Sequence, residues 1–512
     1  MTEGWSKKIY VELLPPTEDD NRSDSERILD GLKEREDLKD ERIRFSPSVL
    51  RRFYQVCEKA QWNITITLGF DGTGWEILDV EAGDTTEEHY GLCTDLGSTT
   101  IVMELVDMNR SEAVARETIF NPQTAFGEDI LTRIFYTKDN EENREELRRA
   151  TVSGFCELME KLEKKTGINV KKCAAMVVAG NTAMIHFLFG MDAFCVFHTP
   201  YAVHTLKPDV CHAREIDIPM EGFLYCCPGK ANYLGGDIIS GIIAEDITER
   251  EEISVFLDIG TNGELVIGNR NFLIAGAGAA GPALEGGVVK TGMRAEKGAV
   301  DRLIIENGEI KIHTIGEERA EGICGSGIVD LLAQLFLNGW MDLRGELQEN
   351  RSDRIRRQGQ EMAVEYAEGL YFYQSDIEEF LKTKAAAATM VEYMMQTMGM
   401  TMDEIDRFYV CGAFGTHISK EAGVTIGLYP DIDREKIISP GNTSLAGARK
   451  ILLHREKKEK AEEILENMEY IQFGSVEDFL HLMTAAMAVP HTDYQRYPSV
   501  MKELKKRERP HL

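Results

Sequence analysis

The sequence lacks the features of nucleic-acid-binding, membrane-spanning and secreted proteins. Its 512 residues include 58 lysines and arginines against 87 aspartates and glutamates, and the resulting net charge of −29 repels phosphate backbones and anionic lipids. No run of about 18 apolar residues occurs, and the first 20 residues show no signal-peptide pattern. We therefore expect a cytoplasmic protein without nucleic-acid or membrane partners.

Cysteines are few and scattered, with 10 in the whole chain. They form no C-x-x-C pair and none of the spacings of ferredoxin-type iron-sulfur domains, so we expect no iron-sulfur cluster in this chain. Only Cys226 and Cys227 are adjacent. Adjacent thiols cannot easily chelate one ion, so two buried thiols in a turn are favoured over a metal or cluster shared at a homodimer interface.

The length predicts several domains, because single cores stop growing at about 250 to 300 residues. Alternating helical and strand patterns predict α/β architecture throughout. Two highly charged stretches, Lys138–Arg149 and Glu346–Glu361, predict solvent-exposed helices. The predicted division is a small α/β domain over 1–88, a first lobe over 89–250, a second lobe over 251–490 and a tail over 491–512.

One local design occurs twice. Cys93–Val106 reads CTDLGSTTIVMELV and Phe256–Gly268 reads FLDIGTNGELVIG. In both, a strand delivers an aspartate, a glycine permits a tight turn, and hydroxyl and amide groups follow before the next strand. A single copy is equally typical of an ordinary β-turn. Its repetition in two domain-sized blocks favours a pair of phosphate-binding hairpins.

If both hairpins bind one polyphosphate, each residue type has a role. Asp95 and Asp258 would hold Mg²⁺ directly or through its waters. The turns would contact the phosphates of ATP through the following residues: Gly97, Ser98, Thr99, Thr100, Gly260, Thr261, Asn262 and Gly263.

Three further segments fit such a site. A buried strand turns through Gly180, Asn181 and Thr182 into a helix, which offers a helix N-terminus and an element connecting two lobes. The segment YVCGAFG supplies Gly412, Ala413 and Gly415, where an adenosine ring could lie against backbone, although a plain strand-to-helix turn explains it equally well.

Asp237 follows two glycines and precedes an apolar helix predicted over Ile238–Asp246. Its first interpretation is a helix N-cap. Its second is a catalytic carboxylate that positions or deprotonates the attacking water. The sequence leaves both open.

With these motifs the chain resembles the ASKHA superfamily of sugar kinases, heat-shock chaperones and actin. The resemblance implies a two-lobed α/β fold preceded by the small N-terminal domain. Asp95 and Asp258 then match the two phosphate motifs, Gly412–Gly415 the adenosine motif and Gly180–Thr182 the connecting motif. Asp237 stands where sugar kinases carry the catalytic aspartate.

A closer resemblance is to the reductive activators of corrinoid proteins. It rests on long segments along most of the chain: VELLPPTEDDNRSD at Val11–Asp24, NPQTAFGEDILTRI at Asn121–Ile134, GNTAMIHFLFG at Gly180–Gly190, AGPALEGG at Ala280–Gly287, and EGICGSGIVDLL at Glu321–Leu332. Gly281 in the fourth segment is a further predicted ATP contact. Family members usually carry an N-terminal [2Fe-2S] domain or other cluster ligands, and this sequence begins directly in the region that follows.

The resemblance implies an ATP-hydrolysing enzyme that returns an inactive cob(II)amide corrinoid protein of a methyltransferase system to cob(I)amide. Because the sequence shows no cluster ligands, the electron is expected from a separate donor. Two alternatives remain at this point: a small-molecule kinase of the same fold, and a non-enzymatic nucleotide-dependent switch or chaperone.

Overall fold

The computed structural model describes residues 4–260, 263–278, 289–415, 417–473 and 479–508, without the side chains of Ala413, Phe414 and Glu508. The chain forms two compact units. Unit 1 comprises 1–246 and 443–466, and unit 2 comprises 247–442 and 467–512. Among the helices of these described residues, none combines the length and the apolar composition of a membrane span.

The N-terminal part of unit 1 is a small sheet covered by short helices. Its strands have the order β1-β3-β4-β2, and the sheet packs its apolar face against the first helix through Ile28, Leu32 and Ile66. The elements are β1 (Ser6–Glu12), α1 (Asp24–Lys33), β2 (Ile43–Phe45), α2 (Pro47–Leu50), α3 (Phe53–Lys59), β3 (Asn63–Phe70) and β4 (Trp75–Ala82).

The rest of unit 1 contains a six-stranded sheet of order β7-β6-β5-β8-β10-β9. Its strands are β5 (Tyr90–Leu96), β6 (Thr100–Asp107), β7 (Glu112–Phe120), β8 (Ala175–Gly180), β9 (Cys211–His212) and β10 (Phe223–Cys226). Its helices are α4 (Ile130–Thr137), α5 (Glu141–Thr166), α6 (Thr182–Leu188), α7 (Phe194–Phe197) and α8 (Gly236–Ala244), and later α13 (Thr443–Leu453) and α14 (Lys457–Asn467).

Unit 2 contains a six-stranded sheet of order β21-β20-β11-β12-β13-β22 and two three-stranded sheets. Its strands are β11 (Ser254–Ile259), β12 (Gly263–Gly268), β13 (Leu273–Gly278), β14 (Ala299–Glu306), β15 (Glu309–Thr314), β16 (Gly322–Ile323), β17 (Ile355–Gln358), β18 (Glu361–Ala367), β19 (Leu370–Tyr373), β20 (Arg407–Cys411), β21 (Ile437–Ile438) and β22 (Met468–Gln472). Its helices are α9 (Gly325–Leu337), α10 (Gln374–Thr397), α11 (Gly412–Gly415), α12 (Lys420–Thr425), α15 (Phe479–Ala486) and α16 (Pro498–Glu508).

The two large sheets repeat one topology. In unit 1, β5 pairs antiparallel with β6 and parallel with β8; in unit 2, β11 pairs antiparallel with β12 and parallel with β20. The next strand beyond each hairpin, β7 or β13, pairs antiparallel with it. The next strand on the other side, β10 or β21, pairs in parallel with β8 or β20. The duplicated hairpin predicted from the sequence therefore occupies the same central place in each sheet.

The predicted helix over Glu346–Glu361 is wrong. The segment contains β17, which pairs antiparallel with β18 in the register Ile355↔Val364. Ile355 and Val364 are both buried in the core of unit 2. Burial of these apolar side chains in a hairpin outweighs the charged composition that suggested a helix. The other charged stretch does form helix, in α5.

Candidate functional site

The first acidic hairpin presents its turn at the carboxyl end of β5. Asp95 and Leu96 pair with Val102 and Ile101, so residues 97–100 form the connection. A Cβ added at Gly97 would lie 2.6 Å from the Thr100 carbonyl oxygen, so this turn requires glycine. Gly97, Ser98, Thr99 and Thr100 are all partly buried.

Unit 1 brings the connecting turn and the Asp237 region to the same sheet edge. Leu96 pairs in parallel with Gly180, and the Asn181 side chain caps α6 by accepting the Met184 N–H at 3.0 Å. A Cβ added at Gly235 would lie 2.5 Å from the Asn181 Cα. The start of α8 therefore packs directly on the Gly180–Thr182 turn.

Asp237 is not the N-cap of α8, contrary to the first sequence interpretation. The cap is Gly235, and Asp237 is the second residue of the helix. The helix begins two residues earlier than predicted, where Gly236 packs so closely on the Cys227 carbonyl group that a Cβ would overlap it. The Asp237 carboxylate instead accepts the N–H of Ile238 at 3.0 Å.

The electrostatic setting of Asp237 suits a general base. Burial raises the pKa of its carboxyl to about 7, and the nearby negative charge of Asp95 acts in the same direction. A carboxylate that exchanges a proton near neutral pH can accept a proton from water or from a hydroxyl group.

A segment from late in the sequence completes this edge. Helix α13 packs on β5, β8 and α8, and the Ser444 hydroxyl donates a 2.8 Å hydrogen bond to Asp95 Oδ1. Close packing of the two helices depends on Gly447, where a Cβ would overlap the Ser240 carbonyl oxygen. The sequence does not predict this role of Ser444, because nothing near residue 444 indicates a partner 349 positions away.

The predicted connecting element lies wholly inside unit 1. Strand β8 and helix α6 both belong to residues 1–246, and the chain changes units at 246/247, 442/443 and 466/467. The return of the chain at residue 443 is what adds α13 to unit 1.

The second acidic hairpin has the corresponding place in unit 2. Asp258 pairs in parallel with Cys411, so the end of β11 lies beside the start of the predicted adenosine segment. Gly412 has a φ of +80°, and a Cβ there would lie 2.6 Å from Asp258 Oδ1. Glycine is thus required where Gly412 approaches the carboxylate, and Gly415 is similarly close to the Val410 carbonyl oxygen, at 2.9 Å from an added Cβ.

The described part of the second turn is its two ends. Thr261, Asn262 and Gly281 lie outside the described residues, and Ala413 is described only as backbone of α11. Gly260 ends the described part of the turn, and Gly263 begins β12. Unit 2 therefore brings together Asp258, Gly412 and the two ends of its turn.

The glutamates that follow the two aspartates are not equivalent. Glu104 lies opposite Cys93, whereas Glu264 lies opposite Asp258 itself. Glu104 is buried and accepts hydrogen bonds from Arg116 at 2.7 Å and from Arg449 of α13 at 3.3 Å. Its role in unit 1 is to anchor α13 to the hairpin.

Cys226 and Cys227 are both buried in unit 1. Burial raises the pKa of each thiol well above its usual value. Metals bind the thiolate form, so this setting favours two neutral thiols. Among the described residues, no group of three or more histidine, cysteine, aspartate or glutamate side chains is placed to hold a metal ion.

Three consecutive parts of the chain match known protein families. Residues 252–501 match the family described as the C-terminal domain of RACo, the ASKHA domain. Residues 90–250 match the RACo middle region, and residues 5–87 match the RACo linker region. The α/β fold of the ASKHA class expected from the repeated hairpin is thereby confirmed.

One solved structure is similar to almost the whole chain. A solved structure described as "Reductive activator for corrinoid,iron-sulfur protein" aligns with a TM-score of 0.87 and 34% identity over 98% of this chain and 81% of that chain. The chain belongs to the family of reductive activators of corrinoid proteins.

Two curated proteins are also similar. The "Corrinoid activation enzyme RamQ" of Eubacterium limosum is 27% identical over 75% of this chain and 68% of its own length. The "[Co(II) methylated amine-specific corrinoid protein] reductase" of Methanosarcina barkeri is 22% identical over 76% of this chain and 75% of its own length.

Proposed function

We propose that the chain is an ATP-hydrolysing activator that promotes one-electron reduction of a cob(II)amide corrinoid protein to cob(I)amide. The observation that carries this proposal is the match to a reductive activator over 98% of the chain with a TM-score of 0.87. The two curated relatives, named as a corrinoid activation enzyme and a corrinoid protein reductase, support the same activity.

The site residues have distinct roles in this proposal. In each unit one acidic hairpin binds phosphate oxygens of ATP, through the turn after Asp95 and the turn after Asp258. Asp237 accepts a proton from the attacking water, which its pKa of about 7 permits at neutral pH. ATP and water then yield ADP and phosphate. Gly412 and Gly415 are the proposed adenosine contacts.

Mg²⁺ fits the residue types present. It prefers oxygen ligands, and the carboxylates of Asp95 and Asp258 would hold it directly or through its waters. When bound, it would neutralise phosphate charge. The contribution of this chain is to fix the Asp95 carboxylate through the Ser444 hydroxyl at 2.8 Å.

Nucleotide turnover can assist a difficult reduction through binding energy. A tenfold preference for the reduced form of the partner shifts a one-electron potential by about 59 mV. Alternation between ATP-bound and ADP-bound states would make that preference reversible, so that the activated partner is released. The electron itself comes from a separate donor in this proposal, and a homodimer is a further prediction that a molar-mass measurement in solution can test.

ATP turnover tests the first part of the proposal. The purified chain with Mg-ATP should release phosphate, and a corrinoid protein in the cob(II) state should change that rate. Asp258→Ala should keep the circular dichroism spectrum and lose turnover. Retained turnover in this variant would contradict the site assignment. A phosphorylated sugar or carboxylate as product would favour a small-molecule kinase instead.

A further inference from the structure

The segment Asn121–Ile134 surrounds the first phosphate turn with buried polar groups. Asn121 and Arg133 are both fully buried, at 0% exposure. Asn121 lies just after β7, and Arg133 lies on α4. Neither residue belongs to the predicted phosphate contacts, and both point toward the turn at 97–99.

All three carbonyl groups of that turn are engaged by these two residues. The Asn121 side-chain amide donates to the Gly97 carbonyl oxygen at 2.8 Å, and the Asn121 N–H donates to that of Thr99 at 2.8 Å. Between them, Arg133 Nη1 donates to the Ser98 carbonyl oxygen at 2.7 Å. We call this arrangement of Asn121, Arg133 and their three acceptors the carbonyl clamp.

The carbonyl clamp fixes the direction of the opposite peptide groups. In a trans peptide the C=O and N–H bonds point to opposite sides. Holding the carbonyls of residues 97, 98 and 99 therefore turns the N–H groups of Ser98, Thr99 and Thr100 away from the clamp. Within the described part of the chain, no group accepts a hydrogen bond from the N–H of Ser98 or Thr99. Successive outward N–H groups are an anion-binding arrangement.

Arg133 also brings a positive charge. Its other guanidinium nitrogens donate to the Gly127 carbonyl oxygen at 2.8 Å and the Glu128 carbonyl oxygen at 3.2 Å. Its hydrogen bonds to other described residues go to neutral atoms, and the charge of the Asp129 carboxylate also acts on the guanidinium. Burial lowers the pKa of Arg133 only to about 10, so the group stays charged at neutral pH. A buried cation paired with neutral carbonyls favours an anion bound at the turn.

We propose that Asn121 and Arg133 are positioning residues for ATP, which aim the Ser98 and Thr99 amides at a phosphate group by holding the turn from its other side. The proposal rests on the proposed ATP site and adds residues that act through the turn and do not touch the nucleotide. It gives a role to the buried polar side chains of Asn121 and Arg133 in a segment that is otherwise mostly part-buried or exposed.

Asn121→Asp is the sharpest test, because a carboxylate has the same shape but cannot donate to the Gly97 carbonyl. The matched control is Asn269→Asp in unit 2. Asn269 is also buried, its side-chain amide donates to the Glu251 carbonyl at 2.8 Å, and its carbonyl accepts the Asn271 N–H at 2.9 Å. Asn121 makes the same pair of bonds, with its carbonyl accepting the Gln123 N–H at 3.0 Å.

Arg133→Lys is the second test, since it keeps the charge but loses the fork of donors. Its matched control is Arg27→Lys. Arg27 is a buried arginine of the N-terminal sheet domain that donates to Asp20 at 2.7 and 3.0 Å. Both arginine variants should lower the melting temperature, but only Arg133→Lys should affect nucleotide binding.

Affinity should be measured for Mg-ATP and for adenosine, which lacks phosphates. We expect Asn121→Asp and Arg133→Lys to bind Mg-ATP at least about tenfold more weakly, which corresponds to the loss of one charge-assisted hydrogen bond from a turn amide to phosphate. Their affinity for adenosine should not change, and both control variants should bind Mg-ATP and adenosine like the wild type. Equal weakening for adenosine, or wild-type affinity for Mg-ATP, would overturn the proposal. If the wild-type chain itself does not bind Mg-ATP, the proposed ATP site fails instead.

Hydrogen exchange on the wild-type chain covers the case in which the variants do not fold. The Ser98 and Thr99 amides should exchange quickly without ligand and slow down with Mg-ATP but not with adenosine. Protection of these amides before ligand is added, or no change with Mg-ATP in a chain that binds it, would contradict the aimed-amide geometry.

Discussion

Ser444 Oγ lies 2.8 Å from Asp95 Oδ1 and donates a hydrogen bond to it, although 349 positions separate the two residues. The bond ties α13, the helix with which the chain returns to unit 1, to the carboxylate of the first acidic hairpin. The position of Asp95 therefore depends on a segment that follows most of unit 2 in the sequence.

Removing that hydroxyl should weaken catalysis without unfolding the chain. Ser444→Ala leaves the Asp95 carboxylate without one charge-assisted donor, and we expect a loss of about tenfold in kcat for ATP hydrolysis. Ser444→Thr retains the hydroxyl and should keep most of the rate. Steady-state phosphate release at saturating Mg-ATP measures the effect, and equal rates for Ser444→Ala and the wild type would show that Asp95 needs no such support.

Asp237 should be the base in ATP hydrolysis. Asp237→Asn removes the proton acceptor and should lower kcat by at least about 100-fold, while Mg-ATP binding stays near the wild-type value. Because the carboxyl pKa is about 7, the wild-type rate should fall as the pH drops below that value. A pH profile of kcat that is flat from roughly one unit below to one unit above neutral pH would exclude this role.

The raised pKa of Asp237 also predicts how stability depends on pH. The folded chain holds this proton up to about pH 7, whereas the unfolded chain releases it near the ordinary value of 3.8. Asp237 should therefore lower the free energy of unfolding least at low pH, and increasingly more as the pH rises to about 7. Asp237→Asn removes the effect, so its stability advantage over the wild type should grow over that interval in denaturant titrations. An advantage that shrinks with rising pH would mean that the carboxyl pKa is not raised.

Gly447 should not tolerate a side chain. A Cβ there would overlap the Ser240 carbonyl oxygen, so Gly447→Ala must separate α13 from α8. We expect a loss of about 1 to 3 kcal/mol or more in the free energy of unfolding. The control is Gly154→Ala, where an added Cβ would meet only side-chain atoms at 3.1 Å or more. A similar small effect of both substitutions would contradict the tight helix contact.

Lys384 should anchor the C-terminal segment of unit 2. Its buried ammonium donates to the carbonyl oxygens of Ala486 at 2.5 Å, Ala488 at 2.7 Å and Pro490 at 2.7 Å. Burial lowers the lysine pKa to about 7, and the three acceptors favour the ammonium form. Lys384→Met leaves these acceptors unsatisfied and should cost about 1 to 3 kcal/mol or more in the free energy of unfolding.

The exposed Lys382 of the same helix provides the control for this substitution. Its ammonium pairs with the exposed Glu379, at 2.6 Å. Lys382→Met should change stability by less than about 1 kcal/mol. Denaturant titration of both variants measures the difference, and a small effect of Lys384→Met would show that the segment is held by other contacts.

The sequence predicts the local parts of this fold better than its long-range contacts. The Asp-x-Gly hairpins and the Gly180–Thr182 turn are visible because they depend on neighbouring residues. The contact of Ser444 with Asp95 is invisible, because it depends on the packing of a helix that returns after residue 442. The raised pKa of Asp237 likewise follows from burial, which no local pattern specifies.

The error at Glu346–Glu361 has the same origin. Charge favours a solvent-exposed helix there, but Ile355 pairs with Val364 and buries itself in the core. The sequence also does not predict the carbonyl clamp, although its segment NPQTAFGEDILTRI is typical of the family. A motif can identify a family without revealing that its asparagine and arginine hold a turn more than 20 residues earlier, as Asn121 holds Gly97 across 24 positions.

The central claim is that ATP turnover by this chain drives reduction of a corrinoid. The direct measurement follows the absorbance change from cob(II) to cob(I) in a corrinoid protein with a strong reductant, with and without this chain and Mg-ATP. We predict cob(I) formation that requires both the chain and ATP and is lost with Asp237→Asn. A cob(I) yield that is the same with and without ATP would contradict the account.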